Sequence, residues 1–292
     1  MSPHFSDRDG YDADFLGEGF SVPLPALGAH EDDAVRPPDA DPASSFAFRY
    51  RRFSVIMSTA RRFCRVSAVN IDGAEPWFQI PRRSWRLDPR APDVQHDDEV
   101  LYGGDTFSRG HMVRRKDPLW GSRELAKQAN DDTFYYTNAV PQVQSFNDGL
   151  WGGLEDHLLD LGTAHRSRLS VFTGPIFSDD DLLYRDGAIA VPSEFFKLIV
   201  AVHEGENRLL AAAFVQSQLD VMPEEGAFPL PGFDPGRFVP DQVTVEELER
   251  RTGLTFGLKE VDVLRGTDEE AHFGIGEAPR VRLFHSGQII FG

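Results

Sequence analysis

A single cysteine in 292 residues, Cys64, excludes an internal disulfide framework. No run approaches the roughly 18 uncharged apolar residues that a membrane-spanning helix needs; the richest, Leu209 to Val215, is far too short. The opening MSPHFSDRDG has neither a basic n-region nor an apolar h-region, so no secretory leader is expected. With the lone thiol, this points to the reducing cytoplasm and away from a membrane. Positive charge is scarce as well. The 30 Lys and Arg against 47 Asp and Glu leave a net charge of −17, the opposite of the basic footprint that drives avid, sequence-independent binding of polyanions.

What is present suits one folded unit. A hydrophobic fraction of 40% with 23 Phe is ample for one sizeable core. The charge is unevenly placed: residues 1–45 hold ten acidic and two basic side chains, whereas Arg49, Arg51, Arg52, Arg61, Arg62 and Arg65 lie in a stretch without acids. Residues 1–45 lack helical or strand periodicity and read as an acidic tail, disordered or draped, with Phe15, Leu16, Phe20, Val22 and Leu24 available for docking. Such a tail reads as a solubilising leader or, alternatively, as an inhibitory cover that lies over the basic segment and competes with a polyanionic ligand, with residues 46–292 forming the domain. FSVIMS (53–58) and FCRVSAVNIDG (63–73) predict a hairpin. Residues 85–104 read as loop, SRELAKQAND (122–131) as a short helix, and TFYYTNAV (133–140) as a strand. A helix is predicted over 146–164, strands at SRLSVFTGPIF, AVPSEFFKLIVAV and LLAAAFVQS, and a helix with a Thr244–Glu247 capping box stopping at Gly253. Strands and helices mix without βαβ alternation, so the fold class is α+β, with a mainly antiparallel sheet flanked by helices.

Three polar segments carry the candidate chemistry: SRGHMVRRKDPLWG (108–121), TNAVPQ (137–142) and FNDGLWGGLEDH (146–157). An imidazole titrating near 6.5 can take a proton at neutral pH, and a guanidinium can grip a phosphate as a fork, which singles out His111 and Arg109. Arg114, Arg115 and Lys116 add positive charge beside them. Taken singly, each residue has a duller reading. His111 is a loop histidine, Asn138 closes a turn, Asn147 caps a helix start and Glu155 is an exposed helix charge. Glu155 is eight residues beyond Asn147, roughly 12 Å along an ideal helix axis, too far to share one cation's inner shell with it. Asp156, His157 and His165 read as surface, and Asp117 as a turn residue.

Taken together, the segments resemble the DNA/RNA non-specific endonucleases of the ββα-metal type. The family hallmark Asp-Arg-Gly-His is matched by Ser108-Arg109-Gly110-His111, and Asn-x-x-Pro-Gln by Asn138, Pro141 and Gln142. The helix pattern Asn, Trp, Leu-Glu is matched by Asn147, Trp151, Leu154 and Glu155. VPSEFFKLIV and LERRTGLTF match a later strand and a C-terminal helix, so the likeness spans roughly residues 50 to 260.

The resemblance implies a ββα-metal motif and hydrolysis of DNA and/or RNA to 5′-phosphate and 3′-hydroxyl ends. It implies His111 as general base and Asn147 as the one direct protein ligand of Mg²⁺, with Mn²⁺ able to substitute. Arg109 would bind phosphate, Asn138 orient the centre, and Glu155 anchor a metal-bound water, with Arg114 and Arg115 as further substrate contacts. Ser108 departs from the family's Asp and removes a negative charge there. Implied partners are DNA and/or RNA, an inhibitor or regulatory protein, and a second copy of the chain. The competing class is a catalytically silent nuclease-like module that only binds nucleic acid or protein, against which the presence of both His111 and Asn147 speaks. A zinc enzyme of the HNH kind would need a second His or Cys pair at ligand spacing, which the chain does not offer.

Overall fold

The β-rich runs around Cys64 form the expected hairpin and extend into a large sheet. In the computed structural model, which describes residues 5–40, 46–104, 106–148, 166–203, 205–222, 241–265 and 280–282, the strands run in chain order as follows. The first three are β1 (Phe48–Tyr50), β2 (Phe53–Met57) and β3 (Cys64–Asp72), followed by the short pair β4 (Ser108–His111) and β5 (Ala139–Gln142). Next come β6 (Arg168–Ile176), the small hairpin β7 (Leu182–Tyr184) and β8 (Ile189–Val191), and the long β9 (Glu194–His203) and β10 (Arg208–Ser217). β11 (Asp241–Val243) and β12 (Arg280–Arg282) complete them. Eight strands make the main sheet in the order β1-β2-β3-β6-β9-β10-β11-β12, every pairing antiparallel. The helices are α1 (Arg123–Asp132), α2 (Gln144–Asp148) and α3 (Val245–Thr252). The class is α+β.

The central strands are apolar on both faces because the sheet is a middle layer. Phe53, Val55, Val171, Phe195, Ile199 and Phe214 point into one core, shared with Met112, Val113, Val140 and Phe146 of the β4–β5 region. Phe172, Phe196, Leu198, Val200 and Ala213 point into a second core on the opposite face, closed by Val245 and Leu248 of α3. That second face also receives the N-terminal arm. Phe15, Leu16, Val22 and Leu27 are buried there, while Phe5 enters the first core. Backbone bonds fix the arm's course: the Gly10 amide donates to the Tyr50 carbonyl, and Ala26 and Thr255 exchange a reciprocal pair.

The arginine-rich segment is largely structural. Arg51 is buried and reaches Asp7 and Gln128. Arg65 pairs with Asp33, and Arg61 with Asp181. Arg52 closes the two-residue β1–β2 turn at φ 67, a left-handed conformation unfavourable for a residue with a Cβ. Its compensation is tertiary: Asp9 accepts from its amide at 2.8 Å, and its guanidinium lies 3.7 Å from the Trp120 ring centroid. Asp7, Asp9 and Asp33 of the tail therefore meet Arg51, Arg52 and Arg65 from within the fold. Arg109 pairs instead with Asp98, outside the tail.

Three local expectations change. Residues 85–104 are not wholly loop: Pro92–Val94 is a 3₁₀ turn and Asp98–Tyr102 a π-helical turn. The strand expected over 133–140 begins only at Ala139, because Tyr136–Asn138 makes a 3₁₀ turn tied back to the preceding helix. The next helix starts at Gln144, so Asn147 lies inside it and does not cap its start. The rest of the stretch expected over 146–164, with Glu155, lies outside the described residues. The two caps follow the sequence: Ser122 accepts from the Leu125 amide at α1, and Thr244 from the Glu247 amide at α3, which ends on left-handed Gly253.

Candidate active site

β4 and β5 form a four-residue antiparallel ribbon in which Ser108, Arg109, Gly110 and His111 oppose Gln142, Pro141, Val140 and Ala139. Residues two apart on a strand share a face, so Arg109 and His111 point to one side and Ser108 and Gly110 to the other. Gly110 is required by contact. A Cβ there would lie 2.2 Å from Oε1 and 2.3 Å from Cδ of Gln142, whose side chain is itself buried.

Asn138 builds the corner that sets the ribbon. It is fully buried; its Oδ1 accepts from the Val113 amide at 2.8 Å, and its Nδ2 donates to the carbonyls of Val113 and Thr133 at 3.0 Å. Its amide therefore locks the chain beyond His111 to the end of α1. Gln218, which the motifs did not single out, does the same at the other end of β5. Its Oε1 accepts from the Val143 amide, and its Nε2 donates to the Pro141 and Pro192 carbonyls. Phe146 packs on Phe195 with ring centroids 5.3 Å apart, seating α2 on the sheet, and α2 also contacts β4. Asn147 follows Phe146 in this helix; its side chain and Glu155 lie outside the described residues.

The His111 ring is held between Trp85, at 4.5 Å between centroids, and the edge of Phe134, at 5.2 Å. Its Nε2 is buried and has no hydrogen-bond partner among the described residues. Burial first, then the positive charges of Arg82, Arg115 and Arg114, pull its pKa from 6.5 down to about 3, so the ring is neutral at pH 7. Trp85 reaches it from a strap anchored on both sides. Nδ2 of Asn130 holds the Pro81 carbonyl, Arg115 holds the Ile80 carbonyl, and Arg86 exchanges backbone bonds with Phe134 and Tyr136.

The cations differ in their engagements. Arg109 donates to Asp98 at 2.7 Å from Nε. Arg115 bonds Ile80 and the Asn130 amide and serves the scaffold. Arg114 acts on His111 through its charge, and so does Arg82, an exposed strap residue that sequence reading passed over. No motif signals Arg82; only the fold of the strap brings it to His111. Ser108 donates its hydroxyl to the Gln142 carbonyl, and both polar atoms of the Gln142 side-chain amide are buried without a partner among the described residues.

An α+β core carrying this ribbon and short helix defines the architecture of a ββα-metal nuclease, and comparison with known proteins agrees. The family model for DNA/RNA non-specific endonucleases matches residues 36–262, and the chain belongs to that family. It is 40% identical over 229 residues to an uncharacterised protein, y4fB, of Sinorhizobium fredii, covering 74% of this chain and 34% of that one. It is 32% identical to nuclease C1 of Cunninghamella echinulata, covering 59% and 65%, and 29% identical to human mitochondrial endonuclease G, covering 58% and 57%. The chain thus spans about a third to two thirds of the length of these relatives. A structure of an EndoG/EndoGI complex, bearing on EndoG inhibition, shares the fold with a TM-score of 0.52 at 22% identity, over 72% of this chain and 84% of that one.

Proposed function

We propose that this protein hydrolyses phosphodiester bonds of DNA and RNA without regard to the sugar, using a divalent metal, Mg²⁺ in the first instance. The observation that carries the reading is His111: a neutral imidazole with an unengaged Nε2, two residues from Arg109 on the same strand face. A water proton passes to His111 as the water oxygen attacks phosphorus. The bond from phosphorus to the 3′ oxygen breaks, and that oxygen is protonated from solvent, leaving 5′-phosphate and 3′-hydroxyl ends. Arg109 grips the non-bridging oxygens, and Asn138 acts by holding the ribbon. The arriving phosphate anion raises the depressed pKa of the ring, strengthening it as a base.

A divalent cation here would be held through a neutral amide ligand and water, a set that suits a hydrated hard cation. Asn147 of α2 would bind it directly, with Glu155 acting through water. When bound, such an ion neutralises charge on the phosphate and on the departing 3′ oxygen. The reading extends to a cytoplasmic setting, where a regulatory protein or a second copy of the chain restrains the activity.

The test is cleavage of supercoiled plasmid and of a long single-stranded RNA with Mg²⁺ or Mn²⁺. Both polymers are degraded, EDTA stops the reaction, and His111→Ala lowers the rate on the order of 10² to 10⁴-fold. Intact polymers with the wild type and either metal would favour the binding-only module.

A further inference from the structure

Arg109 does not stand alone in the ribbon; it is met by a carboxylate from outside every segment that carries the family likeness. The Asp98–Tyr102 turn is π-helical, a geometry that recurs at functional sites, and several contacts hold it in place. The Asp97 side chain accepts from the Val100 amide, and the Gly103 amide donates to the Asp98 carbonyl at 2.6 Å. A Cβ on Gly103 would lie 2.4 Å from that carbonyl oxygen, so the turn closes only over glycine. Leu101 and Tyr102 are buried beneath it, and the Tyr102 ring stacks on Tyr136 at 5.9 Å with an interplanar angle of 9°. The Asp98 backbone is therefore fixed independently of Arg109.

From this mount, Oδ1 of Asp98 accepts from Nε of Arg109 at 2.7 Å and from Nη2 at 2.5 Å. The Tyr136 hydroxyl lies beside both partners. One edge of the guanidinium is thus gripped, and the Nη1 side is left to face a ligand. The side chains are 30% and 47% exposed, so the pair is at the rim and adds little stability by itself. Its consequence is orientational. An arginine carries several rotatable bonds, and one already fixed in the binding geometry avoids an ordering penalty on the order of threefold to tenfold in affinity. The head of the motif supplies no carboxylate, because Ser108 directs its hydroxyl to the Gln142 carbonyl.

We propose that Asp98 is a positioning residue for phosphate binding, gripping the Nε edge of Arg109 so that its other edge is presented to the nucleic-acid backbone. The inference rests on Arg109 as the phosphate contact of the proposed nuclease. It predicts the opposite sign from simple electrostatics, in which removing a carboxylate beside a polyanion site tightens binding.

The test is a double-mutant cycle on the full chain, read by fluorescence anisotropy of a labelled single-stranded oligonucleotide in EDTA, so that binding is scored without cleavage. Asp98→Ala weakens binding about threefold to tenfold. Asp98→Asn, which still accepts from Nε, recovers most of the loss, and Asp98→Ala has no further effect in an Arg109→Ala background. With Mg²⁺, the Asp98→Ala loss falls on KM as well as kcat, while the thermal midpoint stays at the wild-type value. Unchanged or tighter binding by Asp98→Ala overturns the inference, as does an equal loss with Arg109 absent. If the wild type binds but fails to cleave, the nuclease reading falls while the cycle still decides the role of Asp98. A wild type that binds no oligonucleotide overturns both.

Discussion

Acid sensitivity follows from two histidines that the fold keeps neutral. His111 is held at a pKa of about 3 by burial and three arginines. His96, packed 4.7 Å from Phe63 with its Nδ1 buried and unpartnered, is held at about 4 by burial and then by Arg62. Both native values lie below the unfolded value of 6.5, so protons bind the unfolded chain more readily. The stability these rings contribute is fully present above pH 6.5. It is lost as pH falls from there toward 4 for His96 and 3 for His111. Lowering the pH from 7 to 5 should cost about 2 kcal/mol for each ring, about 4 kcal/mol together, from the linkage relation. That is a large part of the 5–15 kcal/mol typical of a domain. Urea unfolding from pH 7.5 to 4.5 measures it, and His111→Gln or His96→Gln should each remove about half of the slope. Histidine ring resonances followed by NMR give the native values directly. A His111 that titrates near 6.5 in the free protein, or a slope that neither variant changes, refutes the account of its burial.

Three further outcomes follow from the same contacts. Gly110→Ala forces a Cβ into the buried Gln142 side chain and should destabilise the ribbon by about 1–3 kcal/mol, abolishing cleavage; wild-type stability in thermal melts would count against that contact. Removing residues 1–40 strips Phe5, Phe15, Leu16, Val22 and Leu27 from two cores and leaves Asp132, whose side chain is 1% exposed, without Arg8. The loss should be at least several kcal/mol, so the truncated chain is expected to unfold or aggregate on gel filtration; a folded, more active truncation would restore the inhibitory-tail reading. Trp85→Ala removes the ring packed 4.5 Å from His111 and should move its pKa up toward 6.5, shifting the acid limb of kcat/KM to higher pH; an unmoved limb would show that Trp85 does not shield the ring.

Legibility differed from element to element. The β2–β3 hairpin, the long strands β6, β9 and β10, and the two ends of α3 were readable because period, turn residues and capping chemistry act over a few neighbours. The strand expected from Thr133 was displaced because Asn138 bonds back to both Thr133 and Val113, exchanging ladder bonds for a corner. The π-turn at Asp98 was read as loop because its cause is a contact to Gly103 and a stack on Tyr136, neither of which leaves a periodic trace. The arginines of residues 49–65 looked like a basic surface because composition does not report which side chains are buried; the acids that pair with them lie far along the chain, 44 positions away for Asp7 and Arg51 and further still for Asp181 and Arg61.

The sequence by itself determined the family, the α+β class and the identity of the candidate base, because the ordered motifs from Ser108 to Phe256 are a linear pattern that needs no folding to be read. Tertiary structure decided the state of that base and the company it keeps. Only the folded strap brings Trp85 and Arg82 to His111, and only the π-turn brings Asp98 to Arg109. Protonation and side-chain orientation depend on burial and on charges brought together through space, and these are quantities that chain order does not carry.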